Sequence, residues 1–112
     1  MTHDELTIRV PTSKISDNID AIFDGAHDIR EIEATLLHFF GGFERTEGFG
    51  GWRDDDGITH REEVTIWTCL TDDPDGFGSL RGYAAWLAWK LGEQCVLVRR
   101  AVVEAAFVEP CV

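Results

Sequence analysis

Hydrophobic and polar residues near the N-terminus follow two different periods, which predict a strand and then helices. Residues 5–10 alternate in polarity and include β-branched side chains, so they predict a strand that Pro11 ends. From Asp28 to Phe40 the apolar residues recur at helical spacing, with Glu31 completing a capping box and two glycines ending the helix. Between these elements, residues 16–25 predict a short helical turn with three apolar side chains facing inward: Ile19, Ile22 and Phe23.

The glycine-rich stretch GGFERTEGFGGW at 41–52 is compatible with a phosphate-binding loop or with one strand of a hairpin. A phosphate loop requires a strand, then glycines, then a helix whose N-terminal amides face the anion. Here the predicted order is helix, glycines, strand, because residues 43–53 alternate and DDDG at 54–57 is typical of a hairpin turn. Residues 58–70 alternate again. The pattern therefore predicts a β-hairpin over residues 43–70, whose glycines mark a bulge or a place of close packing.

The C-terminal third of the chain predicts a second helix followed by closing strands. Ser79 is a suitable N-cap for a helix through Lys90, and Gly92 ends it. Residues 94–100 and 102–108 then indicate one or two strands. The order β-α-β-β-α-β matches the ferredoxin-like split βαβ unit, an α+β fold in which two helices cover one face of an antiparallel sheet. The length favours a single α+β domain over residues 1–112.

Charge and cysteine content narrow the range of partners and compartments. The chain has 21 Asp and Glu residues against 10 Lys and Arg, so its field repels nucleic-acid phosphate and anionic lipid and favours basic partners. Its apolar runs are shorter than the ~20 residues of a membrane span, and its acidic N-terminus does not resemble a signal peptide. The three cysteines form no Cys-x-x-Cys pair, which indicates reduced thiols. We therefore predict a cytoplasmic protein that binds neither nucleic acid nor membranes.

Residues 38–98 resemble a group of small uncharacterised proteins encoded by phages of high-GC bacteria and their hosts. The shared features are the Phe-Gly-Gly helix end at 40–42, the Gly-Trp pair at 51–52, the turn glycine at 57, Glu63 at the head of the next strand, and GEQCV at 92–96. The last segment departs from the group's pattern by transposing Gln and Glu and by placing Cys95 where a small residue is usual. The resemblance implies the ferredoxin-like fold and a phage setting. It implies no activity, because none is established for the group.

Few residues have the spacing of a catalytic or metal site. His60 and Glu62 share one face of a predicted strand and could hold a divalent metal, although a solvated hairpin end is the simpler explanation. Cys69 with His60 or His38 could form a nucleophile and base, but no oxyanion-hole signature accompanies them, and a mid-strand cysteine is more often a buried apolar residue. We predict no cofactor and no catalytic residue.

Aromatic residues and acidic clusters are the candidates for partner binding. Trp67 shares a strand face with Cys69, and we predict that the two helices leave this face open. The aromatic rings of the second helix form a stripe that either extends the core or makes an interface. The predicted partner-binding residues are Trp67, Trp52, Phe49, Tyr83, Trp86, Trp89, Asp54, Asp55 and Asp56.

These features favour three hypotheses about function. The aromatic face predicts a homodimer with Trp67 in the contact. The acidic clusters predict a protein that occupies a basic surface of a partner, although solubility or salt adaptation also explains the charge. A small enzyme, or a sponge for a nucleotide or metabolite, would use the glycine-rich hairpin and the aromatic sheet face. We predict a non-enzymatic binding or regulatory protein, phage-encoded and acting on a host or defence protein, with the small enzyme or sponge as the alternative.

Overall fold

The computed structural model describes residues 1–111 and has an α+β architecture. Its strands are β1 (Thr2–Pro11), β2 (Ile15–Ser16), β3 (His27–Asp28), β4 (Glu44–Arg53), β5 (Thr59–Thr71) and β6 (Val98–Glu104). Its helices are α1 (Ile19–Phe23), α2 (Ile29–Phe40) and α3 (Gly76–Leu91), with a 3-10 turn at Thr12–Lys14. Four strands form an antiparallel sheet in the order β4-β5-β1-β6, and β2 and β3 form a separate parallel pair.

The prediction of a ferredoxin-like β-α-β-β-α-β fold with two helices is wrong. Residues 1–111 contain three α-helices, and the segment between β1 and α2 contains the 3-10 turn, β2, α1 and β3 instead of a simple connection. Asn18 explains the extra helix, because its side-chain oxygen accepts hydrogen bonds from the backbone nitrogens of Asp20 and Ala21 at 2.9 and 3.2 Å and so caps α1. The inward orientation predicted for Ile19 and Phe23 is also wrong, since the two side chains are 74% and 91% exposed.

The helix α2 and the hairpin agree with their predictions. Asp28 accepts a hydrogen bond from the backbone nitrogen of Arg30 at 2.9 Å, and Gly41 ends α2 in the left-handed region at φ 77°. Strands β4 and β5 pair in register along the whole of β4, so the glycine-rich stretch is a strand and not a phosphate loop. Helix α3 begins earlier than predicted, because the Asp73 carboxylate accepts from the Asp75 backbone at 2.9 Å and turns the chain into the helix before Ser79.

The core lies between the sheet and helices α2 and α3. Inward-facing residues of β1 and β5 meet the apolar faces of both helices, and the largest fully buried apolar side chains are Leu6, Ile8, Val10, Ile32, Leu36, Trp67, Leu80 and Leu87. Trp67 is 0% exposed, and its indole nitrogen donates to Glu33 at 2.9 Å. Trp67 therefore lies on the face of the sheet that the helices cover. The homodimer hypothesis had required it to lie on the open face, and that prediction of its position is wrong. Successive side chains of a strand point to opposite sides of the sheet, so those that alternate with the core residues point away from the helices. We call this side of the sheet, which is formed by β4, β5 and β1, the outer face.

Within residues 1–111, none of the helices has the length and apolar character needed to cross a membrane.

Candidate functional site

A cleft of about 700 Å³ opens on the outer face, a volume within the range of small-molecule sites. Its walls come from the C-terminal end of β1, from the hairpin formed by β4 and β5, and from the loop between α3 and β6. These three parts are distant in sequence but adjacent in space, because β1 lies between β5 and β6 in the sheet. The glycine-rich hairpin is thus one wall of a cleft.

Trp52 and His60 form an aromatic platform at one end of the cleft. The two residues face each other across the hairpin, and their rings stack with centroids 5.1 Å apart and planes 15° apart. The Asp54 carboxylate accepts a hydrogen bond from Nε2 of His60 at 2.7 Å and also accepts from the backbone nitrogens of Ile58 and Asp56. The His60 bond, and then the Ile58 bond, hold the pKa of Asp54 below its usual range. Because the turn fixes His60 and His60 supports Trp52, the indole is held in place while remaining 47% exposed.

Three glycines of β4 lie where a side chain would meet neighbouring groups or enter the cleft. A Cβ at Gly51 would lie 3.3 Å from the carbonyl oxygen of His60, and one at Gly48 would lie 3.2 Å from Cδ1 of Ile66. At Gly50 an added Cβ would meet only Val64, at 3.9 Å, so a side chain there would extend into the cleft. Gly48 and Gly51 therefore allow close packing within the hairpin, and the absence of a side chain at Gly50 leaves space in the cleft.

Two glutamates place negative charge in the cleft. Burial raises the pKa of Glu62, and the negative charge of Glu93 raises it further. Glu93 comes from the loop after α3, where Lys14 lies 3.9 Å from it. The negative charges of Glu62 and Glu93 are close enough to repel each other, and a cation between them would reduce that repulsion. This part of the cleft is therefore suited to a positively charged group.

The structure places the predicted site residues in several separate parts of the fold. Trp52, Asp54, His60 and Glu62 are brought together around the cleft. Asp55 and Asp56 are exposed in the hairpin turn, and Phe49 lies on the other face of β4, 71% exposed. Trp67 lies in the core.

Tyr83, Trp86 and Trp89 lie on α3, away from the cleft. The Tyr83 hydroxyl donates to Glu31 at 3.0 Å, and its ring stacks on Trp86, so these rings extend the contact between α2 and α3. Burial, and then the charge of Glu31, raise the pKa of Tyr83. Trp89 is 74% exposed. The homodimer and the basic partner protein stay predictions.

Of the cleft residues that sequence reasoning missed, Arg9 and Glu93 are charged and come from outside the hairpin. Arg9 could have been noticed as a charged residue inside the apolar alternation of residues 5–10. Glu93 belongs to the GEQCV segment, which was used only for the resemblance. Neither could be placed beside the hairpin without the strand order.

The metal and thiol candidates lack the surroundings that they need. Among residues 1–111, no group of three or more His, Cys, Asp or Glu side chains is placed to hold a metal, so His60 and Glu62 are not joined by a third ligand. Burial raises the pKa of the Cys69 thiol to about 11, which leaves almost no thiolate for nucleophilic attack near neutral pH. All three cysteines are free thiols, and Cys95 and Cys111 are exposed.

The outer face of this small α+β protein thus has a cleft with aromatic and acidic residues in its lining, and concave sites of this size bind small molecules in other proteins. No family model matches the chain, and no curated protein matches it. Among solved structures, the chain is similar to a phage SAM lyase in complex with S-methyl-5'-thioadenosine, with a TM-score of 0.58 and 11% sequence identity over 96% of this chain and 93% of the other.

The similarity extends over nearly the whole length of both chains. It also shows that an enzyme has this fold, which contradicts the prediction of a non-enzymatic binding or regulatory protein. The matched protein comes from a phage.

Proposed function

We propose that this protein is an enzyme that binds an adenosyl sulfonium compound, such as S-adenosylmethionine, in the outer-face cleft and cleaves it. The observation that supports this most is the combination of an aromatic platform with two glutamates in one cleft of ligand size. The similarity to a phage SAM lyase supports the same class of ligand.

Adenine fits the platform because it is flat and aromatic. One face of the Trp52 indole is occupied by His60, and the exposed part of the indole offers a surface for a base. Stacking of a base on an aromatic side chain contributes about 1–3 kcal/mol. The Asp54 hydrogen bonds keep His60 in place and so keep the platform rigid before the ligand arrives.

A sulfonium group fits the acidic part of the cleft. Sulfonium carries a full positive charge and has no N–H or O–H with which to donate a hydrogen bond, so charge attraction must position it. Glu62 and Glu93 supply that charge, and a bound cation would relieve their mutual repulsion. The net charge of −11 attracts the same cation over longer distances.

Cleavage of the bond between sulfur and the aminobutyryl carbon removes the positive charge. The bonding electron pair goes to sulfur and leaves S-methyl-5'-thioadenosine as a neutral thioether. The carbon fragment completes its valence by attack of its own carboxylate oxygen or by loss of a neighbouring proton, for which Glu62 is a suitable acceptor because its pKa is raised. The neutral product is held less strongly by the glutamates than the cation was, which favours its release.

The test compares two adjacent glutamates that point to opposite faces of β5. Glu62 lies in the cleft, whereas Glu63 is exposed and faces the other side. Each variant, Glu62→Gln and Glu63→Gln, is incubated with S-adenosylmethionine, and S-methyl-5'-thioadenosine is measured by chromatography and mass spectrometry. We expect turnover to fall at least tenfold in Glu62→Gln and to stay unchanged in Glu63→Gln.

Thermal unfolding separates this effect from misfolding. Because the pKa of Glu62 is raised in the folded state, ionised Glu62 opposes folding above that pKa, and a neutral amide should not lower the melting temperature. Equal activity in both variants, or no product from the unmodified protein, would refute the proposed function.

A further inference from the structure

Arg9 occupies an unusual position in the centre of the outer face. Its backbone nitrogen donates to the carbonyl oxygen of Leu97 at 3.1 Å, and it pairs with Ile66 on β5. Its side chain lines the cleft together with the apolar residues Val64 and Leu97. Nε of Arg9 is shielded from solvent although the residue as a whole is half-buried, so the Nε–H group requires an acceptor.

The structure leaves that requirement unmet. Nε of Arg9 is buried and has no hydrogen-bond partner within residues 1–111. In the same part of the chain, no carboxylate oxygen lies within 4.0 Å of the Arg9 guanidinium. Two other arginines are in ion pairs, Arg30 with Asp28 and Arg45 with Glu33, whereas Arg61, which also lines the cleft, is in none within residues 1–111. Glu62 and Glu93 line the same cleft, yet neither reaches Arg9. In a chain with 21 acidic residues, an arginine that lines a cleft and remains unpaired is available for an anion from outside.

We propose that Arg9 binds the carboxylate of the ligand, so that the cleft recognises an adenosyl compound with an intact amino-acid chain and not the nucleoside alone. This inference rests on the proposed function. The planar guanidinium presents paired N–H donors that match a carboxylate, whereas a lysine ammonium would act only as a point charge. The cleft then has three parts that correspond to the three parts of S-adenosylmethionine: Trp52 for adenine, the glutamates for the positive charges, and Arg9 for the carboxylate.

The inference predicts a preference that can be measured without turnover. S-Adenosylhomocysteine has the amino-acid chain but a neutral sulfur, so it is not a sulfonium substrate, whereas S-methyl-5'-thioadenosine lacks the carboxylate. Dissociation constants of both compounds are measured by isothermal titration calorimetry for the unmodified protein and for Arg9→Gln. We expect the unmodified protein to bind S-adenosylhomocysteine more tightly, and Arg9→Gln to weaken that compound by about 10- to 100-fold while leaving S-methyl-5'-thioadenosine unchanged.

Two further variants control for charge and folding. Arg9→Lys keeps the charge but loses the paired donors, and should show an intermediate loss for S-adenosylhomocysteine. Arg99→Gln changes an exposed arginine of β6 that does not line the cleft, and should behave as the unmodified protein. Circular dichroism of each variant establishes that it is folded.

The outcomes distinguish a failure of the inference from a failure of the proposed function. If the unmodified protein binds both compounds and Arg9→Gln leaves their ratio unchanged, or weakens both equally, Arg9 does not bind the carboxylate, although the adenosyl site stands. If the unmodified protein binds neither compound, the proposed function fails and this inference fails with it. If Arg9→Gln does not fold and Arg9→Lys does, the comparison uses Arg9→Lys. A weakening confined to S-adenosylhomocysteine then supports the inference, and an equal effect on both compounds overturns it.

Discussion

Replacement of Trp52 by alanine tests the aromatic platform directly. Stacking on an aromatic side chain contributes about 1–3 kcal/mol per base, and one face of Trp52 is already covered by His60 at 5.1 Å. With a single face available on an indole that is 47% exposed, we expect Trp52→Ala to cost about 1–2 kcal/mol of binding energy, or about 5- to 30-fold in Kd. The assay is calorimetric titration with S-methyl-5'-thioadenosine, which has the base and lacks the charged chain.

Trp86→Ala is a matched control for this prediction. Trp86 is 43% exposed and stacks on Tyr83 with centroids 5.9 Å apart, so its surroundings resemble those of Trp52, but it lies on α3 outside the cleft. Its replacement should leave Kd unchanged. An equal loss in both variants would show that the effect is not local, and an unchanged Kd in Trp52→Ala would refute the platform.

Three further predictions concern packing, thiol reactivity and pH. Gly76→Ala should lower the free energy of unfolding by about 1–3 kcal/mol in urea titrations, because the added Cβ would lie 2.8 Å from Cγ2 of Thr71. In the same helix, an added Cβ at Gly82 has no neighbour within 4 Å, so Gly82→Ala should raise the free energy of unfolding by about 0.5–1 kcal/mol. The reverse order of stabilities would contradict this packing. Cys95 and Cys111 are exposed and should react quickly with a thiol reagent at pH 8. Cys69 should react only after unfolding, because it is buried and its pKa is about 11. Fast reaction of all three thiols in the folded protein would show that Cys69 is not buried. The pKa of Asp54 is lowered in the folded state, so its hydrogen bonds contribute fully above the ordinary aspartate pKa and are lost only as pH falls through the lower folded pKa. Ligand binding should therefore persist down to the ordinary aspartate pKa and weaken only below it, and a flat profile would separate the turn from the platform.

The hairpin and α2 could be predicted because their signals are local. Asp28 and Gly41 mark the two ends of α2, and a strong alternation with a turn glycine specifies the hairpin. The extra helix, α1, depends on a single N-cap at Asn18, and two of its apolar side chains are exposed. A periodicity argument expects apolar side chains to face the core, so it misplaces these two. The face of the sheet that the helices cover was not predictable from alternation either, because alternation separates two faces without saying which one is buried.

Trp67 illustrates that ambiguity. A tryptophan with a polar nitrogen suggests an interface, but here Glu33 of α2 accepts the hydrogen bond of that nitrogen, and the ring fills the core. The cleft was partly predictable, since Trp52, His60 and Glu62 share one hairpin face. Arg9 and Glu93 were not, because their proximity depends on β1 lying beside β5 and on the path of the loop after α3.

Incubation of the purified protein with S-adenosylmethionine, followed by mass spectrometry of the small molecules, tests the central claim most directly. The account predicts that S-methyl-5'-thioadenosine accumulates in proportion to protein concentration and that Glu62→Gln abolishes most of it. Intact S-adenosylmethionine after prolonged incubation, together with no measurable binding of S-methyl-5'-thioadenosine, would contradict the account.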